Sequence, residues 1–212
     1  MSHHIELIAA DSKPFKRGSA ERTFTGCLGV CLGFEDADNF KSNYNSSIDA
    51  ILRTVGATRT RTVLKSYDFS KIFENDRVSL LSSLGSFISM LVESQININV
   101  VFTTLNTKFL PDGIKKYGMG RSPSETKKPM DFLNELNGYY PLIAAWKVAK
   151  VAYLKDTNVY LDSFTGEYTT AWGELCAHHL VRVMPKGDVC NIFISAADLV
   201  TKYIDEYSLG IG

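Results

Sequence analysis

The feature that most constrains the fold is a repeated change in the spacing of apolar residues along the chain. Segments in which apolar and polar residues alternate, as in strands, are followed by segments in which apolar residues recur every three or four positions, as in helices. Residues 96–102 alternate almost strictly, whereas residues 39–55 and 76–95 have the helical spacing. Strands that alternate with helices predict an α/β domain of three layers, with helices on both faces of a mixed sheet.

The predicted order of elements is β-β-α-β-α-β-α-β-α-β-α, and a length of 212 residues suits a single domain. Strands are predicted at residues 5–10, 23–34, 59–68, 96–102, 159–162 and 191–195. Helices are predicted at residues 39–55, 76–95, about 131–151, 167–181 and beyond 195. An irregular insertion at about 106–138 is rich in glycine, proline and basic residues. Such a stretch is either functional or a solvated loop.

Composition excludes several classes of protein. The 23 basic and 23 acidic residues give a net charge of zero, which argues against general electrostatic binding of nucleic acid but allows a local basic patch. No signal segment and no apolar run of the roughly 20 residues needed to span a membrane is found, so a cytoplasmic protein without membrane contact is predicted. The four scattered cysteines are predicted to be reduced and to lie in the core.

Three aspartates occupy comparable positions at the ends of predicted strands. Asp11 follows the first strand, Asp162 ends the strand that begins at Val159, and Asp198 follows the last strand after two alanines. Ligands in open α/β sheets bind beyond the carboxyl ends of the strands. Asp198 is also predicted in the first turn of the final helix, where the helix dipole would keep the carboxylate ionised.

Carboxylates brought together at one edge of a sheet repel one another unless a cation lies between them. Oxygen ligands without cysteine or histidine suit Mg²⁺ or Mn²⁺. Two such ions, roughly 4 Å apart, can activate a water and stabilise the leaving oxygen in phosphodiester hydrolysis. Asp11, Asp162 and Asp198 are therefore candidate metal ligands and catalytic residues, with Asp68 or Glu167 as a supplementary ligand. The alternative is that each aspartate is only a cap or turn residue.

The stretches Ala-Asp11-Ser after a strand, Tyr-Leu-Asp162-Ser, and Ala-Ala-Asp198-Leu on a final helix resemble the ribonuclease H-like superfamily. They are similar in particular to a branch whose chains begin with a strand followed by Asp-Glu-Ser and end with an Ala-Asp-Leu helix. The resemblance implies a ribonuclease H-like fold in which aspartates on the first strand, in the middle and near the last helix hold two metal ions. It also implies that Lys13, Lys16 and Arg17 hold a nucleic-acid backbone, although solvated loop charge is the alternative.

Two other hypotheses remain open. Cys176, His178 and His179 place a thiol near two imidazoles, which is typical either of a nucleophile or zinc site or of simple packing in a helix. A non-catalytic interaction protein of the same fold is the alternative function. Such a protein would bind a partner, including another copy of itself, through the 106–138 segment or the edge of the glycine-rich strand 23–34. The three glycines of that strand predict bulges or close backbone contacts.

Overall fold

A mixed sheet forms the centre of the computed structural model, which describes residues 5–18, 23–59, 61–74, 76–106, 140–150, 156–162 and 170–209. Its strands in the described part of the chain are β1 (Leu7–Gly18), β2 (Thr23–Phe34), β3 (Asn97–Asn106), β4 (Asn158–Asp162) and β5 (Leu180–Met184). Their order in the sheet is β3-β2-β1-β4-β5. β1, β2 and β3 pair antiparallel, whereas β4 pairs parallel with both β1 and β5.

Helices connect the strands. They are α1 (Ala37–Thr54), α2 (Ser66–Ile72), α3 (Arg77–Glu93), α4 (residues 140–150), α5 (Thr170–His178) and α6 (Ile192–Leu209), with a 3₁₀ turn at Gly187–Val189. Exposed aspartates cap the starts of α1 and α3. Asp36 and Asp76 each accept a hydrogen bond from a backbone N–H group in the first turn of the helix that follows. No helix in the described part of the chain is long and apolar enough to cross a bilayer.

Side chains of β1 alternate between two cores on opposite faces of the sheet. Leu7 and Ala9 pack with residues of α1, α3 and α6, whereas Ile8 and Ala10 pack with residues of α4 and α5. This alternation is the two-residue period of a strand that is covered on both faces. The predicted fold class, an α/β mixed sheet with helices on both faces, is confirmed.

The prediction of a strand at 191–195 is wrong, because α6 already begins at Ile192. The Asn191 side chain accepts hydrogen bonds from the N–H groups of Phe193 and Ile194, and it thereby starts the helix earlier than the sequence suggested. Residues 193–200 are all buried, and a short apolar run of this kind cannot be distinguished from a buried strand by periodicity.

Three other predictions need correction. Residues 61–65 form bends that lead into α2, so the strand predicted at 59–68 is absent from its described residues. The helix predicted at 167–181 ends at His178 and is followed by β5, which the sequence did not predict. β1 continues to Gly18, beyond the predicted end at residue 10. Most of the predicted insertion, residues 107–138, lies outside the described residues.

The glycines of β2 allow close contact and do not form bulges. A Cβ atom on Gly29 would lie 3.2 Å from the carbonyl oxygen of Tyr140, at the start of α4. The pairing of β2 with both neighbours is continuous, so β2 is an inner strand. It therefore presents no free edge to a partner, contrary to the interaction surface predicted there.

Truncation of Phe193 in α6 should strongly destabilise the fold. This buried ring lies 5.0 Å from the ring of Phe34 and 5.4 Å from that of Phe40, measured between centroids, so it fixes α6 against the sheet and α1. We expect Phe193→Ala to lower the free energy of unfolding by about 3–5 kcal/mol in denaturant titrations. The control Val78→Ala removes a side chain that is 80% exposed and should change stability by less than about 0.5 kcal/mol. Equal effects of both substitutions would contradict this packing.

Candidate functional site

Asp11 and Asp162 lie side by side on neighbouring parallel strands. Ala10 of β1 is paired with Leu161 of β4, so the next residue on each strand is an aspartate. Asp11 shares the sheet face of Ala9, which packs against the core that contains α6. The two carboxylates therefore face α6 beside each other. Asp162 ends β4 as predicted, whereas Asp11 lies within β1, which continues to Gly18, so the prediction that Asp11 follows its strand is wrong.

Asp198 joins them from α6, but not in the way the sequence predicted. It lies in the second turn of that helix and is buried, so it is not a first-turn residue stabilised by the helix dipole. Its Oδ2 atom accepts a hydrogen bond of 2.6 Å from the backbone N–H of Ser66. Burial raises its pKa, which corrects the expectation that the helix favours ionisation.

Asp188 is a member of the site that sequence analysis missed. It lies in the 3₁₀ turn after β5, and its charge raises the pKa of Asp11, Asp162 and Asp198. The Nζ atom of Lys65 lies 3.5 Å from its Oδ2 atom. Asp188 follows a strand closely, which is the signal that identified the others, but that strand was not predicted and its first two residues were assigned to a helix.

We define the acidic cluster as Asp11, Asp162, Asp188 and Asp198, because the negative charges of these residues repel one another. Burial raises the pKa of Asp11 well above its usual range, and the charges of Asp198, Asp162 and Asp188 raise it further. Burial and then Asp188 raise the pKa of Asp162 to about 6. The cluster therefore holds negative charge at neutral pH only against an energetic cost.

Backbone N–H groups hold the carboxylates in place. Oδ1 of Asp11 accepts from the N–H of Ser12 at 2.7 Å, and Oδ1 of Asp162 accepts from the N–H of Gly187 at 2.5 Å. A Cβ atom on Gly187 would lie 3.2 Å from that Asp162 oxygen and would collide with Ile194. A larger residue at this position would require Ile194 to shift, so glycine favours the close approach of the turn to β4 and α6.

A buried network positions the segment that contacts Asp198. The Ser195 hydroxyl donates to the carbonyl oxygen of Leu64 at 2.5 Å, and the Tyr44 hydroxyl lies 2.7 Å from the Ser195 oxygen. These contacts join α1, α6 and the chain immediately before Ser66. The N–H group that orients Asp198 is therefore attached to the core.

The remaining predicted site residues are Asp68, Lys13, Lys16, Arg17 and Glu167. Asp68 is buried in the first turn of α2 and accepts hydrogen bonds from Arg61 and from the backbone N–H of Lys65, so it caps the start of that helix. Lys13 lies 3.3 Å from Asp205, and its charge lowers the pKa of Asp198. Glu167 and the side chains of Lys16 and Arg17 lie outside the described residues.

The cysteines and histidines of the described residues form no evident reactive site. All four cysteines are free, but Cys176 and Cys190 are exposed, so the prediction of core positions holds only for Cys27 and Cys31. Burial raises the pKa of the Cys176 thiol, which is opposite to the activation of a nucleophile. Within the part of the chain that the structure describes, no three Asp, Glu, His or Cys side chains are already arranged to hold a metal ion.

Comparison with known proteins places the chain in a family. A family model described as a domain of unknown function (DUF8203) matches residues 8–209, and the chain belongs to that family. An uncharacterized protein of Archaeoglobus fulgidus is 31% identical over 206 residues, which cover 94% of this chain and 58% of the relative. The chain thus spans less than two thirds of that relative's length.

Three solved ribonuclease structures share a remote likeness with the chain. Ribonuclease HII of Archaeoglobus fulgidus, in a complex with PCNA, is 12% identical over 96% of this chain and 74% of its own, with a TM-score of 0.42. Ribonuclease H2 of Pyrococcus horikoshii is 14% identical over the same shares, with a TM-score of 0.46. Ribonuclease H3 of Aquifex aeolicus is 11% identical over 99% of this chain and 60% of its own, with a TM-score of 0.41. Likeness at this level assigns no activity.

The metal-free protein should lose stability as the pH rises through the pKa of Asp162. Because that pKa is raised from 3.8 to about 6, folding favours the protonated carboxyl. The resulting stabilisation is complete below 3.8 and is lost as the pH rises through about 6. Thermal unfolding with a chelator present, at a series of pH values, measures this loss.

The matched variant Asp162→Asn keeps the acceptor oxygen but cannot ionise. Its stability relative to wild type should increase on the order of 1–2 kcal/mol between acid and neutral pH, after allowance for partial exposure. The control Asp38→Asn alters an exposed carboxyl whose pKa is lowered by Lys41, so it should not reproduce this increase. Parallel pH profiles for wild type and Asp162→Asn would show that the cluster carries no such cost.

Proposed function

We propose that this family member hydrolyses phosphodiester bonds in nucleic acid with the help of Mg²⁺ or Mn²⁺ held by Asp11, Asp162 and Asp198. The observation that carries the proposal is the convergence of four aspartates, from β1, β4, the 187–189 turn and α6, into one cluster in which Asp11 and Asp198 are buried and Asp162 and Asp188 are half-buried. Strongly perturbed carboxyls at the carboxyl ends of strands are typical of functional sites.

The same chain shows what purely structural aspartates look like. Asp36 and Asp76 cap helices from exposed positions, and hydrogen bonds lower the pKa of Asp76. The aspartates of the acidic cluster differ in both respects, because Asp11 and Asp198 are buried and their pKa values are raised. A chain that needed only caps at these positions would gain nothing from burying like charges together. This contrast favours a shared cation site over separate capping roles.

The donor set suits a hard divalent cation. The cluster offers carboxylate oxygens alone, which favour Mg²⁺ or Mn²⁺ over zinc or copper. When all four carboxyls are ionised, their negative charges would balance two divalent ions. A backbone N–H binds one oxygen of each of Asp11, Asp162 and Asp198, which leaves the other oxygen of each carboxylate as a candidate ligand.

A bound cation would lower the pKa of a water molecule and stabilise the leaving oxygen of a phosphodiester. The chain's own residues would supply position and charge. Asp11 and Asp162 project from the sheet, whose register fixes their separation, and the N–H of Ser66 orients Asp198. Lys65 lies beside Asp188 and would favour the approach of an anionic substrate.

Self-association remains the second candidate function, with a different surface from the one first predicted. β3 is an edge strand of the described sheet, and it exposes 48% of Val100 and 59% of Phe102. Exposed apolar residues on an edge strand favour pairing with another chain. This function would not account for the acidic cluster.

Hydrolysis of bis(p-nitrophenyl) phosphate tests the activity without requiring recognition of a polymer. We expect hydrolysis that depends on Mn²⁺, and a loss of about a hundred-fold or more in Asp11→Asn, Asp162→Asn and Asp198→Asn, because each removes a ligand charge. Asp36→Asn is the control, since asparagine also caps a helix well and Asp36 lies outside the cluster. Equal activity in all four variants would contradict the proposal.

A further inference from the structure

An exposed tyrosine with two lysines beside it forms an unusual surface at α2. Tyr67 is 56% exposed, and the Nζ atoms of Lys71 and Lys65 lie 4.7 and 5.9 Å from the centroid of its ring. Tyr67 and Lys71 are four residues apart in the helix, so they share one face of it. We name Lys65, Tyr67 and Lys71 the α2 shelf.

The α2 shelf borders the acidic cluster. Ser66, between Lys65 and Tyr67, donates its backbone N–H to Asp198 at 2.6 Å. Lys65 itself reaches Asp188, with 3.5 Å between Nζ and Oδ2. The shelf is therefore close enough to the cluster to contact a nucleotide next to a phosphate held there.

The charge of Lys71 is available to a ligand, whereas Lys65 is shared with Asp188. No carboxylate in the described part of the chain pairs with Lys71, whereas Lys41 pairs with Asp38 and Lys202 with Glu206. A lysine held only against an aromatic ring can turn toward a phosphate at little cost. Tyr67 remains more than half exposed in spite of both ammonium groups, so a planar base can reach the ring.

We propose that the α2 shelf binds a single strand of nucleic acid, with a base against the Tyr67 ring and backbone phosphates against Lys71 and Lys65. This inference rests on the proposed function, and it specifies a polymeric substrate instead of a small phosphoester. Stacking requires a base with an accessible face, which an unpaired strand provides and the interior of a duplex does not. Ammonium groups beside an aromatic ring are the combination that such strands bind without sequence preference.

Fluorescence anisotropy of a labelled oligothymidylate, with the full chain and a chelator present, tests the shelf independently of hydrolysis. Tyr67→Ala should weaken binding by about five- to a hundred-fold, and Tyr67→Phe should retain it, because the ring supplies the contact. Lys71→Gln should reduce the slope of log Kd against log salt by about 0.7, the contribution of one phosphate contact on a single strand.

Two control substitutions test whether a loss of binding is specific to the α2 shelf or follows from removing any exposed tyrosine or lysine. Tyr207→Ala removes a tyrosine that is also 56% exposed, and Lys41→Gln removes a lysine on α1. Neither should change binding. Wild-type binding that Tyr67→Ala and Lys71→Gln leave unaltered, or no binding by wild type, would overturn the inference.

The small diester distinguishes failure of the shelf from failure of the proposed function. If the protein hydrolyses bis(p-nitrophenyl) phosphate, and Tyr67→Ala and Lys71→Gln leave its binding of oligothymidylate unchanged, the inference about the shelf alone would be overturned. Oligothymidylate binding that depends on Tyr67, without hydrolysis of the diester, would support the shelf and overturn the catalytic proposal.

Discussion

Repulsion among carboxylates that are buried or half-buried is the constraint on which the organisation of this protein depends. Asp11, Asp162, Asp188 and Asp198 approach from separate parts of the chain, and burial makes each additional negative charge more costly. Hydrogen bonds from Ser12, Gly187 and Ser66 offset part of that cost. The arrangement is consistent with a site that is completed by a positive charge.

The rest of the fold keeps these groups together against their repulsion. Pairing of β1 with β4 fixes Asp11 beside Asp162, and α6 is held over the sheet by the packing of Phe193 with Phe34 and Phe40. The hydrogen bonds between Tyr44, Ser195 and Leu64 attach the Ser66 segment to the same helix. Packing in one core thus determines the geometry of the cluster.

The sequence predicted the parts of the site that local pattern determines. Asp11 and Asp162 were identified because each comes at the end of a clear apolar run. Asp11 nevertheless lies within β1, and its position beside Asp162 depends on the parallel pairing of β1 with β4. Asp198 was identified within the wrong element, because Asn191 starts α6 earlier than the apolar run suggests. Asp188 was missed because β5 is short and follows α5 almost directly, so its first two residues were assigned to a longer helix and the strand was not predicted. The α2 shelf depends on contacts across a segment that had been predicted as a strand.

Anomalous X-ray diffraction from crystals grown with Mn²⁺ would locate a bound ion independently of any activity. If the cluster is a cation site, a peak should lie in contact with carboxylate oxygens of Asp11 and of Asp162 or Asp198, and Asp11→Asn with Asp198→Asn should abolish it. An anomalous map with no peak at these carboxylates would contradict the proposal and leave them as protonated structural groups.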